Sequence, residues 1–181
     1  MTRRSTTPDD AAVVTPSRAG HDRLVRSYRV DRRTLFVIGF GALPAHAARP
    51  TPNRVLTWGF IGPGKGIEWG VHALAGLADL DSHVSYHAIG PRDPSVTQRE
   101  DESYRASLLQ LASDLGVADR FTIDARFRRP SEVPKLIASA DAVLLPYDGD
   151  DLAASAVLVE ALVAGRPIVA TAFPHALELL R

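Results

Sequence analysis

From residue 55 onward the sequence alternates short apolar runs with stripes of helical period, and few folds accept that pattern. VLTW (55–58), VSYHAI (84–89), FTI (121–123), AVLLPY (142–147) and PIVAT (167–171) are the apolar runs. Between the first two, Ile67, Val71, Leu74 and Ala78 fall at helical spacing. Tyr104, Leu108, Leu111 and Leu115 form a second stripe, closed by Gly116. SEVPKLIASA predicts a helix capped by Ser131 with Pro134 in its first turns, and LVEALVAG a helix ending at Gly165. PHALELL begins a last helix. Strands apolar on both faces and joined through helices predict an α/β, Rossmann-like parallel sheet covered on both sides. Ligands bind such sheets at the carboxyl ends of the strands, where loops enter helix N-termini.

The chain before residue 55 is less regular. MTRRSTTPDD is too polar to predict fixed structure. AAVV (11–14) predicts a short buried strand, and SRAGHDRLVRSY a helix capped by Ser17. Residues 40–54, rich in Pro and Ala without periodicity, predict a linker. The expected division is 1–39, the linker 40–54, and a principal domain 55–181. Lys plus Arg and Asp plus Glu both total 21, so no basic field favours nucleic acid. Cysteine is absent, which removes disulfides and thiolate metal sites. No apolar run approaches the ~18 residues of a membrane span, and no apolar stretch follows the charged start, so the expected location is cytoplasmic.

GFIGPGKG (59–66) places four glycines and one lysine directly after the first strand of the alternation. Gly59, Gly64 and Lys65 match three elements of the phosphate loop of nucleotide hydrolases. Position 66, where that loop carries Ser or Thr for magnesium, is Gly. The glycine spacing of a dinucleotide fingerprint is also absent. What remains suits a phosphate: backbone free to approach a ligand, a following helix with unpaired N–H groups, and a mobile cation. A tight turn carrying a solvated lysine fits the same residues.

PYDGDDLAASAVLVEALVAGRPIVAT (146–171) is the second constellation. Ser155 stands at a helix start, where it caps the helix or holds a phosphate. Glu160 interrupts the apolar run 156–163 and either reaches the sheet's crevice or forms a structural pair.

Together these residues resemble the donor-binding half of retaining, nucleotide-sugar-dependent glycosyltransferases of the two-domain GT-B fold, the family 4-like group 1 transferases. AAVVTPSRAGHDRL resembles the end of that family's acceptor-binding domain, and FVIGFGALP its interdomain crossing. GFIGPGKGIE, VSYHAIGP, ADRFTIDARF, ADAVLLPY and EALVAGRPIVAT follow in the family's order. The resemblance implies that Gly64 and Lys65 meet the donor diphosphate, with Gly90 beside them. Backbone near Phe127 and Arg128 would border the base, amides around Ser155 would meet the second phosphate, and Glu160 would hold the ribose hydroxyls. A carboxylate suits two adjacent hydroxyls as a bidentate acceptor.

The implied reaction transfers a sugar from a nucleoside-diphosphate sugar to an unidentified acceptor, with retention and without a metal or other cofactor. No catalytic residue is assigned, because the family's acceptor-side residues would lie upstream, and the chain is expected to be a fragment lacking most of the acceptor domain and the closing helices. The isolated chain is expected to be inactive. Peripheral membrane contact of a full-length form stays open. A nucleotide-binding remnant or partner-binding module is the alternative, and a small hydrolase the third reading.

The family often carries Arg where this chain has Phe60, and a second Glu where it has Leu152; Asp150 and Asp151 stand close by, as substitutes or as a solvated turn. His87 is expected to be a strand histidine, His72 and His83 surface residues, and His175 a candidate donor contact beside the sheet's carboxyl edge. Arg126, Arg128 and Arg129 form a basic cluster, a solvated loop or a phosphate border. Trp69, on the first helix after the glycine loop, is expected to be a packing residue.

Overall fold

A computed structural model describes residues 12–44, 47–77, 80, 83–149 and 152–180. The start MTRRSTTPDD, Ala11, Ala78, Asp150 and Asp151 lie outside the described residues. The main sheet has five parallel strands, β3 (Arg54–Trp58), β4 (Ser85–Ile89), β5 (Phe121–Asp124), β6 (Ala142–Leu145) and β7 (Ile168–Ala170). Ahead of it, β1 (Val13–Thr15) and β2 (Leu35–Val37) form a separate parallel pair. The helices are α1 (Arg18–Tyr28), α2 (Ile67–Gly76), α3 (Gln98–Asp114), α4 (Val133–Ala138), α5 (Ala156–Val163) and α6 (Pro174–Leu179). The Rossmann-like α/β architecture expected of the alternation is the one observed.

Strand order in the large sheet is β5-β4-β3-β6-β7. The chain moves outward from β3 through β4 to β5, then crosses back to lay β6 on the other side of β3. That reversal opens a crevice between the carboxyl ends of β3 and β6. Pairing of Trp58 with Ile89 and of Ile89 with Asp124 brings three strand ends level beside it.

Two apolar clusters cover the sheet. Leu56, Trp58, Val143 and Leu145 pack with Ile137, Leu158 and Phe173 on one face. Ile67, Val71 and Leu74 of α2 pack with Tyr86, Leu108 and Phe121 on the other. Period-two alternation along β3 divides the two sets.

Ser17 caps α1 as its position predicts, accepting from the Gly20 amide at 2.9 Å. Gly116 and Gly165, each at positive φ, follow α3 and α5. Ser131 is not a cap. It lies inside a 3-10 turn, Pro130–Glu132, and Glu132 instead accepts the Arg129 amide at 2.8 Å; α4 starts at Val133 with Pro134 second. The crossing segment also holds β2, a strand the sequence pattern does not predict, because three residues are too short to show a period.

Candidate functional site

The glycine loop is strapped down by its own backbone. The Gly59 amide donates to Ile89 O at 3.1 Å, that of Ile61 to Pro91 O at 2.8 Å, and that of Lys65 to Gly62 O at 3.2 Å. These three amides are spent on structure and are not offered to a ligand. Gly64 shapes the turn, with φ +84° and its carbonyl accepting from the Asp148 amide at 3.0 Å. Gly66, the N-cap of α2 at φ +61°, lies so close to the loop after β6 that an added Cβ would meet Pro146 O at 1.8 Å. Trp69 is not a core residue. It is 56% exposed and its indole N–H donates to Asp148 at 2.7 Å, bracing the same two loops.

Lys65 projects from this platform. Its Nζ lies 4.6 Å from the centre of the Tyr147 ring, a cation–π contact. Burial holds its amine below the usual lysine range, and the Asp93 carboxylate opposes that shift. Tyr147 is buried against Phe173, and burial pushes its phenol up to about 12.

Helix α5 enters from the other side of the crevice. Ser155 caps it, accepting the Leu158 amide at 3.2 Å. The Ser155 amide is itself taken, donating to Nδ1 of buried His175 at 2.8 Å. Ser155 therefore sets the helix start without offering its own N–H to a ligand. The amides of Ala156 and Val157 have no partner among the described residues. They form the positive end of α5.

One turn further along, Glu160 accepts the indole N–H of Trp58 at 2.9 Å through Oε2. Among the described residues nothing donates to Oε1, which keeps its accepting capacity. The carboxylate is thus partnered, but by a neutral donor that leaves its charge in the crevice.

These groups border one cleft of about 310 Å³, which collects Lys65, Gly90, Phe127, Arg128 and Glu160 with Ala156 and Val157. Gly64 and Ser155 stand outside its lining. Gly90 is buried at φ +152°, and a Cβ there would fall 1.8 Å from Gly59 O. Phe127 is 67% exposed at the rim. The basic cluster is not a free positive patch. Arg126 and Arg128 both pair with Asp124, at 2.7 and 2.6 Å, and Arg129 pairs with Glu132 at 3.0 Å. Those guanidinium groups hold the Asp124 carboxyl well below the usual range, Arg126 foremost.

The sequence brought Lys65 and Glu160 forward but missed Trp58 and the bond of His175 to the Ser155 amide. His175 touches the helix start from within, and the one signal for this was its place in a turn beside the sheet's carboxyl edge. His87 is half-buried with its ring nitrogen 3.1 Å from Ser85 Oγ, and His72 and His83 are exposed. Leu152 packs against the core. Among the described residues no three His, Asp or Glu gather where a metal ion would fit, and no helix is long and apolar enough to cross a membrane.

The family model for glycosyl transferases group 1 matches residues 52–181. The chain belongs to this family. A curated relative, 2-deoxystreptamine glucosyltransferase of Streptomyces kanamyceticus, is 30% identical over 115 residues, 62% of this chain and 26% of the relative. Among solved structures, Anabaena HepE in complex with UDP and glucose superposes with a TM-score of 0.76 at 21% identity, covering 94% of this chain and 47% of HepE. WaaG, a glycosyltransferase involved in lipopolysaccharide biosynthesis, superposes with a TM-score of 0.70 at 21% identity, over 92% of this chain and 46% of WaaG. The glycosyltransferase chain thus spans about half the length of these structures and about a quarter of the curated relative.

Proposed function

We propose that the crevice binds the nucleoside diphosphate of a nucleotide sugar, and that this chain is the donor-binding half of a retaining, metal-independent glycosyltransferase. The observation that carries the reading is the meeting of Lys65, the open N-terminus of α5 and Glu160 in one cleft at the switch point of the sheet. A diphosphate beside Lys65 meets a cation and the amides of Ala156 and Val157 together. As the bond to the sugar breaks, charge grows on that diphosphate, and donors already fixed in place stabilise it without reorganising. Glu160, anchored by Trp58, accepts from the ribose hydroxyls through Oε1. HepE, solved with UDP-glucose as well as with UDP and glucose, supports a uridine donor by analogy of fold.

Phe60 and Leu152 favour a second reading, nucleotide binding without transfer, since neither offers the charge expected there from the family resemblance. Calorimetric titration with UDP, GDP and ADP, alongside the bare nucleosides and inorganic pyrophosphate, tests the primary reading. Binding that needs both nucleoside and diphosphate supports it. Failure of all three diphosphates to bind at millimolar concentration overturns it, and magnesium-dependent phosphate release would establish a hydrolase instead.

A further inference from the structure

The groove along α5 is longer than the cleft around Lys65. Ala156, Glu160 and Ala164 are spaced four apart, so they share one helical face and advance by about 6 Å per step. Ala156 and Glu160 line the cleft already described, whereas Glu160 and Ala164 line a second cavity of about 330 Å³, and Val133 borders both. The second cavity is walled by Pro134 and Ile137 of α4 on one side, and by Gly41, Ala42 and Leu43 on the other. Every lining side chain except Glu160 is apolar. Such a slot rejects an anion and accepts a flat ring.

We infer that the segment 41–43, between β2 and β3, is a wall of the nucleotide site and encloses the base. The inference rests on the nucleoside-diphosphate reading. With the diphosphate at the N-terminal end of α5 and the ribose at Glu160, the base lies about one helical step further, beside Ala164. That places it further along α5 than Ala156 and Val157, which line the first cleft together with Phe127 and Arg128.

Two consequences follow from a wall carried by the connection instead of the large sheet. Nucleotide binding holds the segment 41–43, and by linkage any movement of that segment changes nucleotide affinity by the same factor. No side chain other than Glu160 offers a polar atom to the base edge, so choice among bases falls to shape and backbone groups.

Gly41 allows a direct test, because an added Cβ there meets nothing within 4 Å and its φ lies outside the left-handed region. Gly41→Phe and Leu43→Asp should each weaken the tightest binder among UDP, GDP and ADP at least ten-fold, while pyrophosphate affinity and melting midpoint stay near wild type. In the wild-type chain, the Gly41 and Leu43 amide resonances should move on adding that nucleotide and stay still on adding pyrophosphate. Unmoved resonances, or unchanged nucleotide affinity in both variants while Lys65→Ala still weakens it, overturn the linker wall and leave the nucleotide site standing. A wild-type chain that binds none of the three overturns both.

Discussion

The indole N–H of Trp58, at the carboxyl end of β3, donates to Glu160 Oε2 of α5 across 2.9 Å and fixes the carboxylate at the crevice. A carboxylate held this way has its other oxygen without a partner among the described residues. Glu160→Gln should therefore erode the preference for ribonucleotides over their 2′-deoxy analogues, by about 1.5–3 kcal/mol of ribonucleotide affinity, the range for a hydrogen bond to a charged group. Trp58→Phe keeps an aromatic ring but frees Oε2, and should weaken the same preference in part. Comparative calorimetry of the two nucleotide forms decides the matter. A purely structural pair would lower the melting midpoint and leave the ribose preference intact.

Lys65→Ala should weaken nucleoside diphosphate binding by about 1.5–3 kcal/mol and change nucleoside binding little. Because burial holds the amine below its ordinary value of 10.5, Lys65 loses its charge earlier as pH rises than a solvated lysine does. Diphosphate affinity should accordingly decline on the alkaline side before pH 10.5 is reached. Equal loss for nucleoside and diphosphate would make the lysine structural.

The glycines of the loop separate turn strain from close approach. Gly64→Ala meets nothing within 4 Å but sits at φ +84°, so it should cost about 1–2 kcal/mol of stability. Gly66→Ala adds a Cβ 1.8 Å from Pro146 O at φ +61°, and should cost about 3 kcal/mol or more because the two crevice loops must part. Urea unfolding of the two variants measures the difference. Equal destabilisation would show that the loops separate freely.

His175 couples the helix start to pH. Its Nδ1 accepts the Ser155 amide, so that nitrogen is unprotonated, and burial holds its pKa below the ordinary 6.5, with Glu178 opposing. Since the unfolded chain binds the proton more readily, stability is fully present above about pH 6.5 and is lost as pH falls through the lowered folded value. His87, lowered by burial and then by Arg54, adds a change of the same sign. Urea midpoints should drop between pH 7.5 and pH 5, and His175→Gln should flatten that drop in part. A slope unaltered by the substitution would exclude His175 as a source.

What the sequence disclosed about this site follows from range. Lys65 stood out because glycines surround it locally, and Glu160 because a carboxylate interrupts an apolar helical run. Strand alternation displayed the large sheet for the same reason, being periodic over neighbours. The Trp58–Glu160 bond joins residues 102 apart and the Ser155–His175 bond residues 20 apart. Each partner by itself looks like ordinary packing or an ordinary turn. The pairing of Arg126 and Arg128 with Asp124 was local enough to see, yet three arginines within four positions read as a patch until the shared carboxylate was placed.

Glycosyl transfer positions two substrates together and keeps water out, and much of the rate arises from that enclosure. On the donor-binding reading proposed above, the crevice supplies one wall of that enclosure; the chain spans 47% of HepE. The small β1–β2 sheet meanwhile presents apolar surface: Val14 and Phe36 are paired neighbours, 55% and 51% exposed, and Ile38 is 63% exposed. A two-stranded sheet with an open apolar face is marginal by itself and prone to association. We predict that the 181-residue chain, purified alone, binds nucleoside diphosphates weakly at best, self-associates through this face, and transfers no sugar. Substituting Val14 and Phe36 with Thr should reduce association in sedimentation without altering nucleotide affinity. Fusion to an acceptor domain from a group 1 relative should be required for turnover, and sustained sugar transfer by the isolated chain would overturn this prediction.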